Sequence, residues 1–466
     1  MQVATANSPL IQDALTIWRA GVNAVTPQSL FRHKVRCYAG KLQFDDLEVD
    51  LRNVRRLIVV GAGKASAAMA RELVEQVFQP AAVTGAFPVW TGWINCPEMS
   101  AGAPIQGIEL CEARPAGVNL PTLKAVVGTQ RIIQLLQNAD PEDLVICLVS
   151  GGGSALLVAP VEGIELADKI ALAELVAAAG GNIEQLNTIR QTISSVKGGG
   201  LAAACRARRI VTLIISDVLG DPINMIASGP TYLSEQVCPN AALEVLRDLG
   251  LIDHTRLQRV VGYLRSKPRM VTWGRESAHV DHVVLGNNAD AVDAAGVQAV
   301  ELGYRYIMQV ARKPEGDVEL VADAAVAACS LIDQQPEVDC WISGGEPTVS
   351  LPDPTTGKGG RNQQLSLAVL TRLIALGWPG EMRRELVFLS GGTDGEDGPT
   401  DAAGAWIDTT TVEQLERLGL EPGNFLREAN AYNFFSQVGG LIRSGATGTN
   451  VCDLRIALSS PTGRVE

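Results

Sequence analysis

The chain has 466 residues, of which 46% are apolar and 19% charged, with a formal charge of -12 at pH 7. That length supports two or three domains with cores of their own. The negative balance argues against general affinity for nucleic acid or anionic membranes, although a few local cations can still hold a small anion.

The amino terminus shows no basic segment leading into an apolar one, and no run approaches the roughly 18 apolar residues of a membrane span. Nine scattered cysteines without a Cys-x-x-Cys pair suit a reducing compartment and offer no zinc framework. A cytoplasmic protein without nucleic-acid or membrane partners is therefore expected. In the first elements, Leu10, Ala14, Leu15 and Trp18 recur at helical spacing. Strand-turn-helix units follow around LIVVGAGK, LVICLVSGGGS and RIVTLIISDVLGD. Their continuous apolar strands predict a largely parallel sheet buried on both faces. The polar, proline-containing stretch at 265–282 predicts a domain boundary, dividing the chain into 1–275 and 276–466. The expected fold class is α/β, with two α/β domains and a Rossmann-like first one. His279 and His282 are a close pair, but three residues apart on a strand they face opposite sides.

Three apolar strands run into Ser-Gly-Gly, at Ser150-Gly151-Gly152, Ser343-Gly344-Gly345 and Ser390-Gly391-Gly392. Such turns let backbone N–H groups approach an anion, and ligands of open α/β sheets sit at strand carboxyl ends. Two further features bear on what the first turn binds. Gly61, Gly63 and Ser66 nearly spell a dinucleotide fingerprint, yet no acid or arginine occurs from Pro80 to Asn95, where a ribose partner would lie. Lys64 also places a cation at the positive end of a helix, which suits a phosphate ligand or, in the plainer alternative, a solvated side chain.

Later turns carry more candidates. Arg190 and Lys197 share a helix face before Gly198–Gly200, reading equally as an anion pair or as a helix end with its usual cation and glycine. Asp217 and Asp221 follow a strand, where they could hold Mg²⁺ or simply belong to a loop. Glu346 and the loop Lys358-Gly359-Gly360-Arg361-Asn362 precede a helix, and an arginine there can fork onto phosphate oxygens. Asp394, Glu396, Asp397 and Asp401 form an acidic cluster without calcium-hand spacing, open to Mg²⁺-nucleotide binding or to loop capping.

Together, VVGAGKASAAMA, LVSGGGSALL, LNTIRQTISSVKGGGLA, IISDVLGDPINMIASGPT, ISGGEPTVSL, GKGGRNQQLSLA and LSGGTDGEDGPTDAAGAWID resemble, in order, the blocks of the type-2 glycerate kinases. The resemblance covers nearly the whole chain after about residue 8. It implies an amino-terminal glycerate kinase domain, a carboxyl-terminal MOFRL-type domain and an active site in a cleft between them. It also implies transfer of the γ-phosphoryl group of ATP to D-glycerate, with a divalent cation, to give 2-phosphoglycerate. Lys64 and Arg361 fall on the family's catalytic lysine and arginine. The sequence departs from the family at Glu112–Pro121, which lacks a histidine, at Gln191 and Thr192, and at Gly200. These departures touch the acceptor side, so a related hydroxy acid stays open.

On this basis Lys64 and Arg361 are expected to face the migrating phosphoryl group. Gly61, Gly63, Ser150, Gly151, Gly152, Gly153, Ser154, Gly344, Gly345, Gly359, Gly360 and Asn362 are expected to line the nucleotide. Arg190 and Lys197 are expected to hold the acceptor carboxylate, and Asp217, Asp221 and Asp394 to hold Mg²⁺. The expected partners are ATP and the small acceptor, and a homodimer stays open. Two competitors are an NAD(P)-dependent hydroxypyruvate reductase and a non-enzymatic sensor of sugar phosphates.

Overall fold

The computed structural model describes residues 8–85, 87–115, 120–233, 237–267, 278–352 and 357–460. Its chain forms two compact units, Pro27–Leu285 and Met1–Thr26 with Gly286–Glu466. The expected boundary at 275/276 lies outside the described residues, and the units depart from that division at both ends. Strand His279–Gly286 adds to the sheet of the first unit, and helix Pro9–Ala24 packs within the second. Chain position alone could not show this, because an amphipathic helix declares only that it needs a partner.

The unit Pro27–Leu285 begins with a small antiparallel sheet of β1 (Val35–Tyr38), β2 (Lys41–Phe44) and β3 (Leu47–Asp50). Its main sheet holds β4 (Arg56–Ala62), β5 (Val89–Pro97), β6 (Ile108–Arg114), β7 (Leu144–Ser150), β8 (Arg209–Ile215) and β9 (His279–Gly286), in the order β6-β5-β4-β7-β8-β9. The pairs β4–β5, β5–β6, β4–β7 and β7–β8 are parallel, as the apolar strands predicted. Leu57–Val60, Leu144–Val149 and Ile210–Ile215 are buried along these strands, leaving no solvent face for an alternating pattern. The chain steps outward from β4 to β6, then returns to the other side of β4 with β7. This is the doubly wound strand order, and its direction reverses between β4 and β7, where ligands of such sheets sit beyond the strand ends.

The second unit contains β10 (Tyr306–Val310), β11 (Cys340–Gly345), β12 (Leu386–Gly392), β13 (Gly404–Ile407), β14 (Leu441–Ile442) and β15 (Asp453–Ser459), ordered β10-β11-β15-β12-β13-β14. Only β10–β11 is parallel; β15 runs antiparallel between β11 and β12. The second and third Ser-Gly-Gly turns therefore lie at the same end of a mixed sheet. Asp453 sits between them, in register with both Gly345 and Gly392. Helix Pro9–Ala24 buries Leu10, Ala14, Leu15 and Trp18, as its spacing predicted. The Trp18 indole donates to the Gly391 carbonyl at 3.2 Å. Among the described residues no helix is long and apolar enough to cross a membrane.

Because Trp18 is 2% exposed, Trp18→Ala should cost about 3–5 kcal/mol. Hydrogen exchange should then accelerate in β12 and β15 while β4 and β7 keep their protection. Opening concentrated in β4 and β7 would contradict the assignment of the first helix to the second unit.

Candidate active site

The turns after β4 and β7 are built against each other. The Lys64 N–H donates to the Gly151 carbonyl at 2.8 Å, and the Ala65 N–H to the Ser150 hydroxyl at 2.9 Å. Gly63 has φ +154°, and a Cβ there would overlap the Ser150 hydroxyl, so only glycine allows this approach. Gly61 similarly lets β4 lie close to the Leu148 carbonyl of β7. Gly61, Gly63 and Ser150, expected at the nucleotide, are thus engaged in joining two strand ends. The same bonds occupy N–H groups that a dinucleotide fold would offer to pyrophosphate.

Side chains crowd this corner. A Cβ on Gly152 would lie 2.9 Å from Arg114 Nη2 and 3.5 Å from Lys64 Cγ. Arg114, at the end of β6, is 2% exposed. Gly153 brings the corner within reach of a third turn, its Cβ position being 2.9 Å from that of Ala227. In that turn Ala227, Ser228 and Gly229 all have positive φ, at 49°, 64° and 62°. Left-handed backbone costs roughly 1–2 kcal/mol per non-glycine residue and concentrates at functional sites.

Lys197 lies beneath these turns, 1% exposed. Its ammonium donates to the carbonyls of Ser154 and Ala227, both at 3.2 Å, and reaches the Ser228 hydroxyl at 3.5 Å. The Ser228 hydroxyl in turn donates to Asn187 Oδ1 at 2.8 Å and lies 3.0 Å from that of Ser154. Gly198 and Gly199 N–H groups bind the Ser228 and Gly229 carbonyls. Burial pushes the Lys197 amine well below the ordinary lysine range, with Lys169 and Arg190 adding repulsion. Burial likewise lowers Arg190. The Lys169 amine is brought to about 7 by burial and by the Arg190 charge. Among the described residues its amine bonds only the Ile193 carbonyl, at 3.4 Å. Among the described residues no carboxylate pairs with these three cations.

The sequence singled out Lys64, Arg190 and Lys197 as candidates, but not Arg114 or Lys169, which the structure places at the same corner. Lys169 carried a signal: it stands three and seven residues before Leu172 and Val176, on the buried face of helix Leu166–Ala178. Arg114 could have been sought at the end of its strand, inside the block that departs from the family. Residues 116–119 of that block lie outside the described residues.

In the second unit the expected nucleotide residues are committed to internal contacts. Cβ atoms on Gly344 and Gly345 would overlap the side chains of Asn288 and Glu315, and Glu315 pairs with buried Arg455. Gly360 packs against Asp397, whose carboxylate caps helix Arg361–Ala375 by accepting the Asn362 and Gln363 N–H groups at 3.0 and 2.9 Å. Gly359 packs against Ala431 and Tyr432, and Asn362 Oδ1 accepts from Ser390 at 2.6 Å. Burial pushes the Asp397 carboxyl up to about 7.

Arg361 grips Asp453 in a two-point fork, Nε at 2.7 Å and Nη2 at 2.9 Å, and meets Glu346 at 3.0 Å. Burial opposes its charge, but the Asp453 carboxylate outweighs that and raises its pKa. The fork that was expected to await a phosphate is occupied by a carboxylate of the same unit.

The expected metal residues do not assemble into a cage. Asp217 and Asp221 occupy the turn after β8, and Asp394 accepts the Glu396 N–H in the other unit. Among the described residues no group of three His, Cys, Asp or Glu side chains converges. One or two carboxylates completed by substrate phosphates is a common Mg²⁺ arrangement, and Asp217 with Asp221 fits that donor set. Of the histidine pair, His282 bonds Thr231 at 3.1 Å while His279 is exposed.

The chain matches the family model described as a domain of unknown function, DUF4147, over residues 13–264, and the MOFRL family over 339–453. It is 36% identical to the glycerate kinase of Bos taurus, over 97% of this chain and 94% of that protein. Identity to the glycerate 2-kinase of Pyrococcus horikoshii is 32%, over 95% and 96%. A putative hydroxypyruvate reductase of Agrobacterium vitis is 35% identical over 86% and 99%. The crystal structure of a glycerate kinase from Thermotoga maritima aligns with a TM-score of 0.77 at 28% identity, over 96% and 99%.

Two outcomes follow from these charges. Arg361→Ala strands Asp453, which is wholly buried, and should cost about 3–5 kcal/mol in chemical denaturation. A loss below about 1 kcal/mol would show that the fork does not carry this corner. Lys169 is neutral when folded between pH of about 7 and the ordinary lysine value of 10.5, whereas the unfolded chain binds a proton there. Stability from this group therefore rises with pH across that window and is lost as pH falls through about 7. Lys169→Met should flatten that part of the pH–stability curve, measured by urea unfolding.

Proposed function

The chain belongs to the type-2 glycerate kinase family, and we propose that it transfers the γ-phosphoryl group of ATP to the 2-hydroxyl of D-glycerate. The observation that carries this reading is the gathering of basic side chains around the turns beyond β4 and β7. Lys197 and Lys169 are buried there with Arg190, without a carboxylate partner among the described residues, and Lys64 and Arg114 flank Gly152. In an acidic chain, such a concentration is stabilised by an anionic ligand.

Phosphoryl transfer asks a protein chiefly for positioning and for neutralisation of charge. Arg190 holds the acceptor carboxylate; Lys197, expected to share that task, has its three donors on Ser154, Ala227 and Ser228 and instead fixes the turns beside it. Lys64 meets charge on the migrating phosphoryl group. The hydroxyl oxygen forms the new bond to phosphorus, its proton is released, and the bond to the ADP oxygen breaks. Asp217 and Asp221 would hold Mg²⁺, which supplies neutralisation of the phosphate oxygens when bound. Arg361 keeps the role implied by its place in the Gly-Gly-Arg-Asn motif, with Asp453 fixing the plane of its guanidinium. The carboxylate clamp explains why Arg361→Ala cannot serve as a clean catalytic knockout; Arg361→Lys, which keeps a charge for Asp453, is the better variant.

Reduction of hydroxypyruvate by NAD(P)H is a second reading, favoured by the name of one relative. The occupied N–H groups at Lys64 and Ala65 count against it. So does the end of β5, where buried Asn95 bonds the Leu156 carbonyl at 2.9 Å and Glu98, just beyond the strand, pairs with Lys124 at 3.7 Å.

An ATP-coupled assay over a panel of small hydroxy acids should select D-glycerate, with phosphorus NMR placing the new phosphate on the 2-position. Lys64→Ala should lower kcat by on the order of 10²–10³ with the fold retained. Oxidation of NADH by hydroxypyruvate, without ATP consumption, would replace this proposal with the reductase.

A further inference from the structure

Ser154 closes the Ser-Gly-Gly-Gly-Ser turn after β7, and its sequence position led to the expectation of a nucleotide contact. Its hydroxyl lies 3.0 Å from that of Ser228. Ser228 is wholly buried, whereas Ser154, like Gly152 and Lys64 of the same corner, is half-exposed. A ligand beyond the ends of β4 and β7 meets Ser154 and not the groups behind it.

Those groups fix the direction in which the hydrogen bonds run. Asn187, 3% exposed on helix Ile183–Thr192, points its amide nitrogen at the Met225 sulfur, 3.7 Å away. A thioether accepts and does not donate, so the amide oxygen faces the other way. That oxygen lies 2.8 Å from the Ser228 hydroxyl and, carrying no proton, can only accept. Ser228 therefore commits its one proton to Asn187. Lys197 reaches the same Ser228 oxygen as a donor, at 3.5 Å. Of the two serines only Ser154 still has a proton to give, so it donates to Ser228. With that proton committed, the Ser154 oxygen offers a ligand only lone pairs.

An oxygen in this state selects by chemistry. Phosphate and carboxylate oxygens present lone pairs of their own and gain no bond from it. A ketone oxygen has no proton to give either. An alcohol hydroxyl has one. A hydroxyl that donates to Ser154 keeps a lone pair directed away from the serine, available to an electrophilic phosphorus.

We infer that Ser154 recognises the hydroxyl of a small hydroxy acid, taking its O–H as a hydrogen-bond acceptor, with Ser228 and Asn187 as positioning residues that hold it in that role. This replaces the nucleotide contact expected of the Ser154 side chain. The corner thereby favours a hydroxy acid over the oxo acid of the same skeleton, because a site built to bond a hydroxyl strongly rejects analogues without one. Identifying that hydroxyl as the one phosphorylated rests on the proposed kinase activity; the direction of the hydrogen-bond chain does not.

The test compares D-glycerate with its deoxyfluoro analogue, in which fluorine replaces the 2-hydroxyl. Fluorine is close to a hydroxyl in size but has no proton to donate. Titration calorimetry of the full chain without ATP reads both affinities. The native protein should prefer D-glycerate by on the order of tenfold, the effect of one hydrogen bond made or left unmade. Ser154→Ala should lose most of that preference by weakening D-glycerate alone. Asn187→Leu removes the acceptor behind Ser228, frees the Ser228 proton to turn toward Ser154, and should shrink the preference although Ser154 is untouched. Asn187→Asp keeps an acceptor oxygen there and should retain it. A merely structural role would weaken both ligands alike and leave their ratio unmoved. A native ratio near one would overturn the inference, as would Ser154→Ala with the native ratio. If the preference depends on Ser154 but no phosphate passes from ATP to D-glycerate, the kinase reading falls and the inference stands. If Ser154→Ala phosphorylates D-glycerate with the native KM and keeps the native ratio, the inference falls and the kinase reading stands.

Discussion

A buried lysine with no carboxylate partner among the described residues is the constraint around which the first unit is arranged. Lys197 can be enclosed only if several oxygens turn toward it. The left-handed run from Ala227 to Gly229 turns one carbonyl inward, and the turn after β7 supplies another from Ser154. Gly153 makes room for those turns to meet, and the Gly198 and Gly199 N–H groups secure the far side. The strained backbone, the glycines and the buried serines are thus parts of one device. Arg190 and Lys169 add positive charge nearby and, with burial, hold the Lys197 amine well below the ordinary lysine range.

The same tripeptide has different uses in the two units. After β7, Ser-Gly-Gly joins two strand ends at the point where the sheet reverses direction, leaving side-chain cations around it. After β11, the glycines make space for Asn288 and Glu315. After β12, they flank Asp453, which holds Arg361. In one place the small residues open a corner to charge; in the other they let charged side chains close upon each other. Arg361 accordingly holds Asp453 neutralised in the interior, with Glu346 on its remaining side.

Catalysis of phosphoryl transfer places few demands on covalent chemistry and many on electrostatics. That emphasis agrees with a site whose outstanding property is its potential. An acidic chain can still carry such a concentration of cations, because net charge does not fix local charge.

Several features were determined by the amino-acid sequence alone. Uninterrupted apolar strands required a sheet covered on both faces, and the helical spacing of Leu10 to Trp18 required a buried stripe. Lys64, Arg361, Arg190 and Lys197 were legible because glycine turns and helix ends advertise cations placed where local structure does not need them. Tertiary structure decided the rest. The unit receiving the first helix, the antiparallel insertion of β15 between two similar strands and the occupation of the Arg361 fork by Asp453 all depend on pairing across many residues, which local pattern does not encode. Lys169 and Arg114 were hidden for the same reason. A lysine within an apolar stripe gains meaning only when the charges facing it are known, and those come from distant stretches of chain brought together by folding.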